Sequence, residues 1–529
     1  MFISLFSLSL ASFFIIFSLI IFGFSYSVSL LFSPCSFFLL SGLEFVICID
    51  TVVMLCLTML FVCSLLAFIY CFHYYYGSSE AKFLFYLMVW FVMVMFFLII
   101  TNSVIFSLVM WEYLGFVSFL LILFYSNSSS VRASLITLLS SRFGDVGLFV
   151  ILAYILGSCN FTWAFFFSFF LVVVTKSAGF PFVSWLLEAM RAPTPVSSLV
   201  HSSTLVAAGV WFVVRYGLYL DSFSLFFVFL VSITTIFITG LCALFFLDLK
   251  KIVALSTCNN VAWCLVYYVC NDLYLVVFQL LVHGVCKCAL FILVGDLMSS
   301  SSSSQSCIGV YMSSYGGVYN VVLLVFLVFC LCGLPFMGIY FSKHFFFICV
   351  VGLPYSIFLV LLVLLGFFVS YSYSFRLSML ISSNIRGLSL GYIVSFIYVG
   401  IFTLVGSVIG WCILGNFEEY SDLSLLWSIL FVFIQLFGCL FGYIVYISDF
   451  SGWFWESLLC GSDALVGFCY YFYNYFFLSS VLIVYRWEVD LLFRSLSCFS
   501  GVSGSSFVFS LNFFIWGIFI YLAFCFFFS

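Results

Sequence analysis

Apolar runs of about twenty residues, each bounded by polar or charged positions, fill most of this 529-residue chain. A helix that crosses a bilayer needs about 20 consecutive apolar residues. The runs predict spans near 3–25, 51–72, 83–101, 103–125, 134–157, 162–180, 196–218, 223–247, 252–270, 273–297, 318–334, 336–352, 355–375, 391–414, 424–447 and 507–528. Counting one or two of these as half-helices gives about fifteen spans. Period-two alternation is nearly absent. That excludes an outer-membrane barrel, whose lumen-facing positions are polar at every second residue. A helical bundle is the remaining way to satisfy the backbone in lipid. The expected fold class is therefore an all-α, polytopic helical membrane protein.

Three stretches depart from the pattern. Residues 26–50 carry Glu44 and Asp50 and read as interfacial. Ser299 to Ser304 is a serine run and reads as a loop. Residues 449–505 mix Asp449, Glu456, Asp463, Arg486, Glu488, Asp490 and Arg494 with aromatics. Asp490 and Arg494 stand in the i, i+4 order that suits one helix face. This stretch fits a lateral amphipathic helix along the membrane, followed by an anchor span at 506–529; an ordinary span plus a loop fits it as well. The first run, MFISLFSLSLASFFIIFSLIIFGF, has no basic flank and no clear cleavage site, so it reads as a span rather than a signal peptide.

Composition fixes the class. The chain is 67% hydrophobic and 6% charged, whereas soluble domains carry about 25% charged residues. A net charge of −4 without a basic patch leaves nothing for nucleic acid. The 22 cysteines are scattered, without C-x-x-C spacing and without clustering with histidine, so no zinc or iron–sulfur site is expected. The 78 phenylalanines, with Val, Leu, Ser, Tyr, Gly and Cys, all suit T- and G-rich codons, a bias that points to an organelle genome. A nuclear gene with balanced codons would contradict that reading.

Against this background single charges carry information. Lys176 ends a run of thirty residues without Asp, Glu, Lys or Arg. The stretch KSAGFPFVSWLLEAMRAPTPVSSLVHSSTLVAAGV follows, with three prolines, Glu188, Arg191 and His201. Glu112 is alone between Lys82 and Arg132, Asp145 follows Arg142, and His283 and Lys287 lie one turn apart on one helix face. Lys343 lies just after Gly333-Leu334-Pro335-Phe336, which echoes Gly179-Phe180-Pro181-Phe182 beside Lys176. Paired interrupted segments of this kind mark ion sites in transporters. A charge at the bilayer centre costs about 2.5–3.5 kcal/mol. Four such charges, Glu112, Lys176, Lys287 and Lys343, would cost roughly 10–14 kcal/mol if unpaired, which argues for a hydrated polar track. The chemistry such a track supports is proton transfer. A carboxylate about 8 Å from a lysine contributes roughly 2 kcal/mol at an effective dielectric near 20. Asp145 with Arg142, and Glu188 with Arg191, also fit structural ion pairs. His201 also fits a packing role, and one of Lys250 and Lys251 also fits a snorkelling position at the membrane edge.

At these residues the chain resembles the chain 5 family of NADH–ubiquinone oxidoreductase, the mitochondrially encoded part of respiratory complex I. PTPVSSLVHSSTLVAAGV carries the resemblance best; MWEYLGFVSFLL, SRFGDVGL, TKSAGFPFVSWL, DLKKIVALST, HGVCKCALF and GLPFMGIYFSK are the other motifs, all within about residues 100–345. The resemblance implies two inverted repeats with broken helices. It divides the chain into N-terminal spans (1–100), an antiporter-like core (101–390), C-terminal spans (391–448), the lateral helix (449–505) and the anchor (506–529). It implies a proton path in which Glu112 and Lys176 form the first coupled pair. Asp145 and His201 connect, His283 and Lys287 belong to the central axis, and Lys343 is the terminal lysine. It places the chain in the mitochondrial inner membrane, beside the chain 4 and chain 2 subunits. NADH, FMN, iron–sulfur clusters and ubiquinone would bind elsewhere in the complex, leaving this chain without a cofactor or redox site. The chain departs from the family at Gln279, where a second histidine is usual, and at His344, where an acid usually follows the terminal lysine. Multisubunit cation/proton antiporters share these motifs, and a purely structural arm is a further alternative.

Overall fold

The computed structural model describes residues 28–32, 45–382 apart from short gaps, 386–387, 425–448 and six residues between 471 and 480. The predicted spans at 3–25, 391–414 and 507–528, and nearly all of the stretch 449–505, lie outside the described residues. The chain divides into two compact units, Met1–Ser462 and Asp463–Ser529; everything below concerns the first.

Helices dominate. After a short antiparallel ribbon of β1 (Val28–Phe32) and β2 (Phe45–Ile49), the chain runs through α1 (Thr51–Tyr74), α2 (Glu80–Ile100), α3 (Val104–Ile122) and α4 (Ser128–Leu156). It continues with α5 (Trp163–Lys176), α6 (Ser184–Ala189), α7 (Thr194–Leu199), a π-helical turn (Val200–Thr204) and α8 (Leu205–Tyr216). Then come α9 (Ser222–Ala243), α10 (Leu249–Val269), α11 (Leu273–Ser300), α12 (Gly317–Cys332), α13 (Tyr340–Gly352), α14 (Ile357–Ser382) and α15 (Leu425–Ile447). Between α11 and α12, β3 (Met312–Ser313) pairs in parallel with β4 (Arg386–Gly387). The stretch expected to be interfacial, 26–50, thus contains the ribbon. Its strands, VSLLF and FVICI, are mostly apolar and partly β-branched, which suits a sheet.

Ten helices among the described residues are long and apolar enough to cross a membrane, and three shorter apolar helices accompany them. The chain is a multi-pass membrane protein. Burial sorts the helices into an inner and an outer set. The window spanning α7 to α8 is 100% buried, and those in α10 and α11 are 89% buried; α4 reaches only 39% and α15 only 28%. Phe83, Tyr86, Trp90, Phe116 and Phe149 point outward from α2, α3 and α4. Such faces are stable only against lipid or a neighbouring subunit. The many serines within helices cost little. Ser107, Ser118, Ser134 and Ser168, for example, return their hydroxyls to the carbonyl three residues back.

The two Gly/Pro interruptions are real helix breaks, and they end their helices alike. After α5, Ala178 adopts φ +53° and the Gly179 amide donates to the Val174 carbonyl at 2.9 Å. After α12, Gly333 adopts φ +79° and the Leu334 amide donates to the Phe329 carbonyl at 3.3 Å. Both are Schellman-type endings: a left-handed residue, then an amide reaching five residues back. Pro181 and Pro335 follow closely and cannot continue the helix. The structural equivalent of Gly333 is therefore Ala178, one residue before the glycine that the sequence echo aligns with it.

Candidate functional site

Close packing brings the first group of charges together. A Cβ on Gly147 of α4 would stand 2.7 Å from the Ser168 carbonyl oxygen of α5, so the glycine lets these helices touch. That contact sets Asp145 of α4 beside the end of α5, where Lys176 is the last helical residue and is 1% exposed. Arg142 bridges two carboxylates. It pairs with Glu112 of α3 and lies 3.1 Å from Asp145. The sequence left open whether Asp145 and Arg142 pair; they do, and the pair includes Glu112.

Lys176 forms no ion pair and no hydrogen bond among the described residues. Its Nζ lies 5.1 Å from the centre of the Trp111 ring, a cation–π contact. A cavity of about 10 Å³ opens beside the lysine, with Ser118, Thr137, Ser140 and Ser141 along its wall and Lys176 and His201 both lining it. That is about the room one water needs.

His201 sits in the π-helical turn, fully buried, with neither ring nitrogen hydrogen-bonded. A π-turn offsets side chains from the regular helix face and is frequent at functional sites. Its signature is the Leu205 amide donating to the Val200 carbonyl five residues back, and the Thr204 hydroxyl likewise donates to the Leu199 carbonyl at 2.9 Å. Gly209 lets α8 approach the break after α5, since a Cβ there would lie 2.8 Å from the Ser177 amide nitrogen. Lys250 is 7% exposed, whereas Lys251 reaches outward and pairs with Asp248 at 3.1 Å. One of the two lysines is thus at the edge and the other inside. Glu188 and Arg191 pair with each other at 2.9 Å.

The second group lies along α11. Lys287 donates to the Val253 carbonyl at 3.2 Å and to the Ser256 hydroxyl, both on α10. His283, one turn away, is 1% exposed and its Nε2 has no partner. Gln279, a further turn along, accepts a hydrogen bond from Ser342 Oγ at 2.5 Å. The amide thus takes a hydroxyl partner from α13.

Lys343, beside Ser342, is fully buried. Its Nζ donates to the Cys332 carbonyl at 2.8 Å and to Ser370 Oγ at 2.7 Å. It also faces the Tyr371 and Phe367 rings at 4.8 and 5.4 Å. The break after α12 creates this site: it frees the Cys332 carbonyl for the lysine and the Gly333 carbonyl for the Tyr371 hydroxyl at 3.0 Å. His344 turns away, stacked on Tyr340 with ring centroids 5.5 Å apart.

All seven residues singled out by the sequence fall in the first unit, in two neighbourhoods. Glu112, Asp145, Lys176 and His201 form one; His283, Lys287 and Lys343 line the other. The hydroxyls of Ser256, Ser342 and Ser370 complete the second, and no sequence signal distinguishes them from other helix serines. Each lysine is held by neutral groups only. Loss of its proton therefore leaves no buried anion without a partner, which suits a group that gives and takes protons. Among the described residues no group of three or more His, Cys, Asp or Glu could hold a metal.

Residues 101–370 match the family described as NADH:quinone oxidoreductase/Mrp antiporter, TM. The chain is 33% identical over 392 residues to NADH-ubiquinone oxidoreductase chain 5 of Locusta migratoria, covering 68% of this chain and 67% of that one. It is 37% identical over 319 residues to the Caenorhabditis elegans chain 5, covering 57% of this chain and 59% of that one. It is 32% identical over 420 residues to the Anopheles gambiae chain 5, covering 74% and 69%. Among solved structures, the Mrp complex of a Dietzia species superposes with a TM-score of 0.69 at 18% identity, covering 91% of this chain and 58% of that one. Respiratory complex I from Thermus thermophilus with bound NADH gives 0.65 at 15% identity, covering 82% and 94%. At those identities the superpositions speak for the fold.

Proposed function

Because the chain belongs to the chain 5 family of NADH–ubiquinone oxidoreductase, we propose that it is a proton-translocating membrane-arm subunit of that enzyme, respiratory complex I. It works in the mitochondrial inner membrane beside the other membrane-arm subunits, chain 4 and chain 2 among them. Oxidation of NADH and reduction of ubiquinone take place in other subunits. The observation that carries the reading is the set of three buried lysines, Lys176, Lys287 and Lys343, none of which has a carboxylate in ion-pair contact among the described residues.

Protons enter and leave these amines through neighbouring hydroxyls, imidazoles and water. Glu112, Arg142 and Asp145 form the charged end of the line. A unit charge moved to or from about 8 Å changes the energy of a proton on Lys176 by roughly 2 kcal/mol at an effective dielectric near 20, about thirty-fold in occupancy. Repositioning the Arg142 bridge is thus enough to load or unload Lys176. His201 connects that lysine, across the small cavity, to the inner helices. His283 and Lys287 continue along α11, and Lys343 ends the series.

The test is to purify the native assembly that contains this chain. Flavin and iron–sulfur centres are expected to copurify, and NADH is expected to drive uncoupler-sensitive acidification in proteoliposomes. An assembly that lacks those centres and exchanges Na⁺ for H⁺ without NADH would identify a cation/proton antiporter instead.

A further inference from the structure

Helices α10 and α11 are joined by residues 270–272, pack against each other and run antiparallel. A three-residue connection and one contact fix their register: Lys287 of α11 meets Val253 and Ser256 of α10. Both helices rise about 1.5 Å per residue, so four residues back along α11 match four forward along α10. One turn from Lys287 is His283, and one turn from Ser256 is Asn260. The register therefore sets Asn260 opposite His283.

A second observation is independent of the register. Asn260 is fully buried, and neither its amide nitrogen nor its amide oxygen has a hydrogen-bond partner. His283 Nε2 is equally buried and equally without one. The two are not bonded to each other as the side chains stand, but buried polar groups are overwhelmingly paired, so unmet groups on facing helix turns are placed to meet by a side-chain rotation.

We propose that Asn260 is the positioning residue for His283, its amide meeting imidazole Nε2 and holding the ring between Lys287 and the Gln279–Ser342 pair. This rests on the reading of α11 as part of the proton route. An amide suits the task because it offers both a donor and an acceptor. It donates to Nε2 when that nitrogen is bare, and after a rotation it accepts when Nε2 carries a proton. Asn260 thus follows the proton on and off the ring without taking it. Serine could accept and donate too, but its short side chain would not reach across two helices; aspartate would add a charge beside Lys287.

The test uses the assembled enzyme in proteoliposomes, with assembly checked on native gels. Asn260→Leu keeps the volume and removes the amide. It is expected to lower NADH-driven proton translocation about ten-fold, while Asn260→Gln, which restores an amide, stays within about three-fold of the parent. In a His283→Ala background, Asn260→Leu is expected to cause no further loss, the signature of coupled neighbours. Parental pumping in Asn260→Leu, or the same fractional loss with and without His283, would overturn the assignment. If the leucine variant fails to assemble, Asn260→Ala is judged by the same criteria. Lys287→Ala separates the two layers. If it leaves pumping unchanged, the proton-route reading fails; if it stops pumping while Asn260→Leu does not, only the role of Asn260 fails.

Discussion

Three lysines are buried here in three different ways. Lys343 has a carbonyl, a hydroxyl and two ring faces around its ammonium. Lys287 has a carbonyl and a hydroxyl. Lys176 has one indole face and a small polar cavity. Ser370→Ala removes one of the two hydrogen bonds of Lys343. A hydrogen bond to a charged group is worth about 1.5–3 kcal/mol, so proton translocation should slow by roughly ten-fold or more, with assembly intact. NADH-driven acidification in proteoliposomes measures this; parental rates would mean that the Cys332 carbonyl alone suffices. The lysines, Glu112 and the histidines were legible in the sequence because each interrupts an apolar run. Ser256, Ser342, Ser370 and Asn260 were not. Hydroxyls and amides occur throughout these helices, and only packing tells which of them meets a charge. The departure at Gln279 has a structural counterpart in Ser342, 63 residues away in sequence, which no local pattern announces.

At the scale of elements, the two helix breaks were visible as Gly/Pro pairs, but their correspondence was off by one. The left-handed residue is Gly333 in one break and Ala178 in the other. A side chain in that conformation costs about 1–2 kcal/mol relative to glycine. Gly333→Ala is therefore expected to destabilise the second break by about that amount, made worse by a Cβ 3.2 Å from the Tyr340 amide nitrogen. Ala178→Gly is expected to relieve a similar strain, less the roughly 0.5–1 kcal/mol of extra chain entropy that glycine brings. Thermal inactivation of the assembled enzyme reads both: a lower midpoint for Gly333→Ala, and an unchanged or higher one for Ala178→Gly. A lower midpoint for Ala178→Gly would show that the two endings are not equivalent. The π-turn around His201 had no sequence signal at all. It depends on how the consecutive carbonyls of Ser198, Leu199 and Val200 are shared between backbone and the Ser and Thr hydroxyls, a balance set by packing rather than by residue type.

For the molecule as a whole, composition alone settled the membrane class, since 6% charged residues cannot cover a water-facing surface. Which helices are central was only partly legible: the two least apolar long spans, Thr194–Tyr216 and Leu249–Val269, are among the most buried, but Leu273–Ser299 is equally buried and as apolar as the outer helices. The structure separates them, and photoreactive lipid tails can check the separation. Peptides from 194–216 and 249–269 are expected to remain unlabelled, while the outward aromatics of α2 to α4 take label wherever no neighbouring subunit covers them. Labelling of 194–216 would place lipid where the protein core should be. The central claim is that the buried lysines carry protons, and protons moved per NADH oxidised test it most directly. With Lys176, Lys287 or Lys343 changed to alanine in a correctly assembled enzyme, that ratio should fall, or turnover should stall. An unchanged ratio at the parental rate in all three would contradict the account and leave this chain a structural arm.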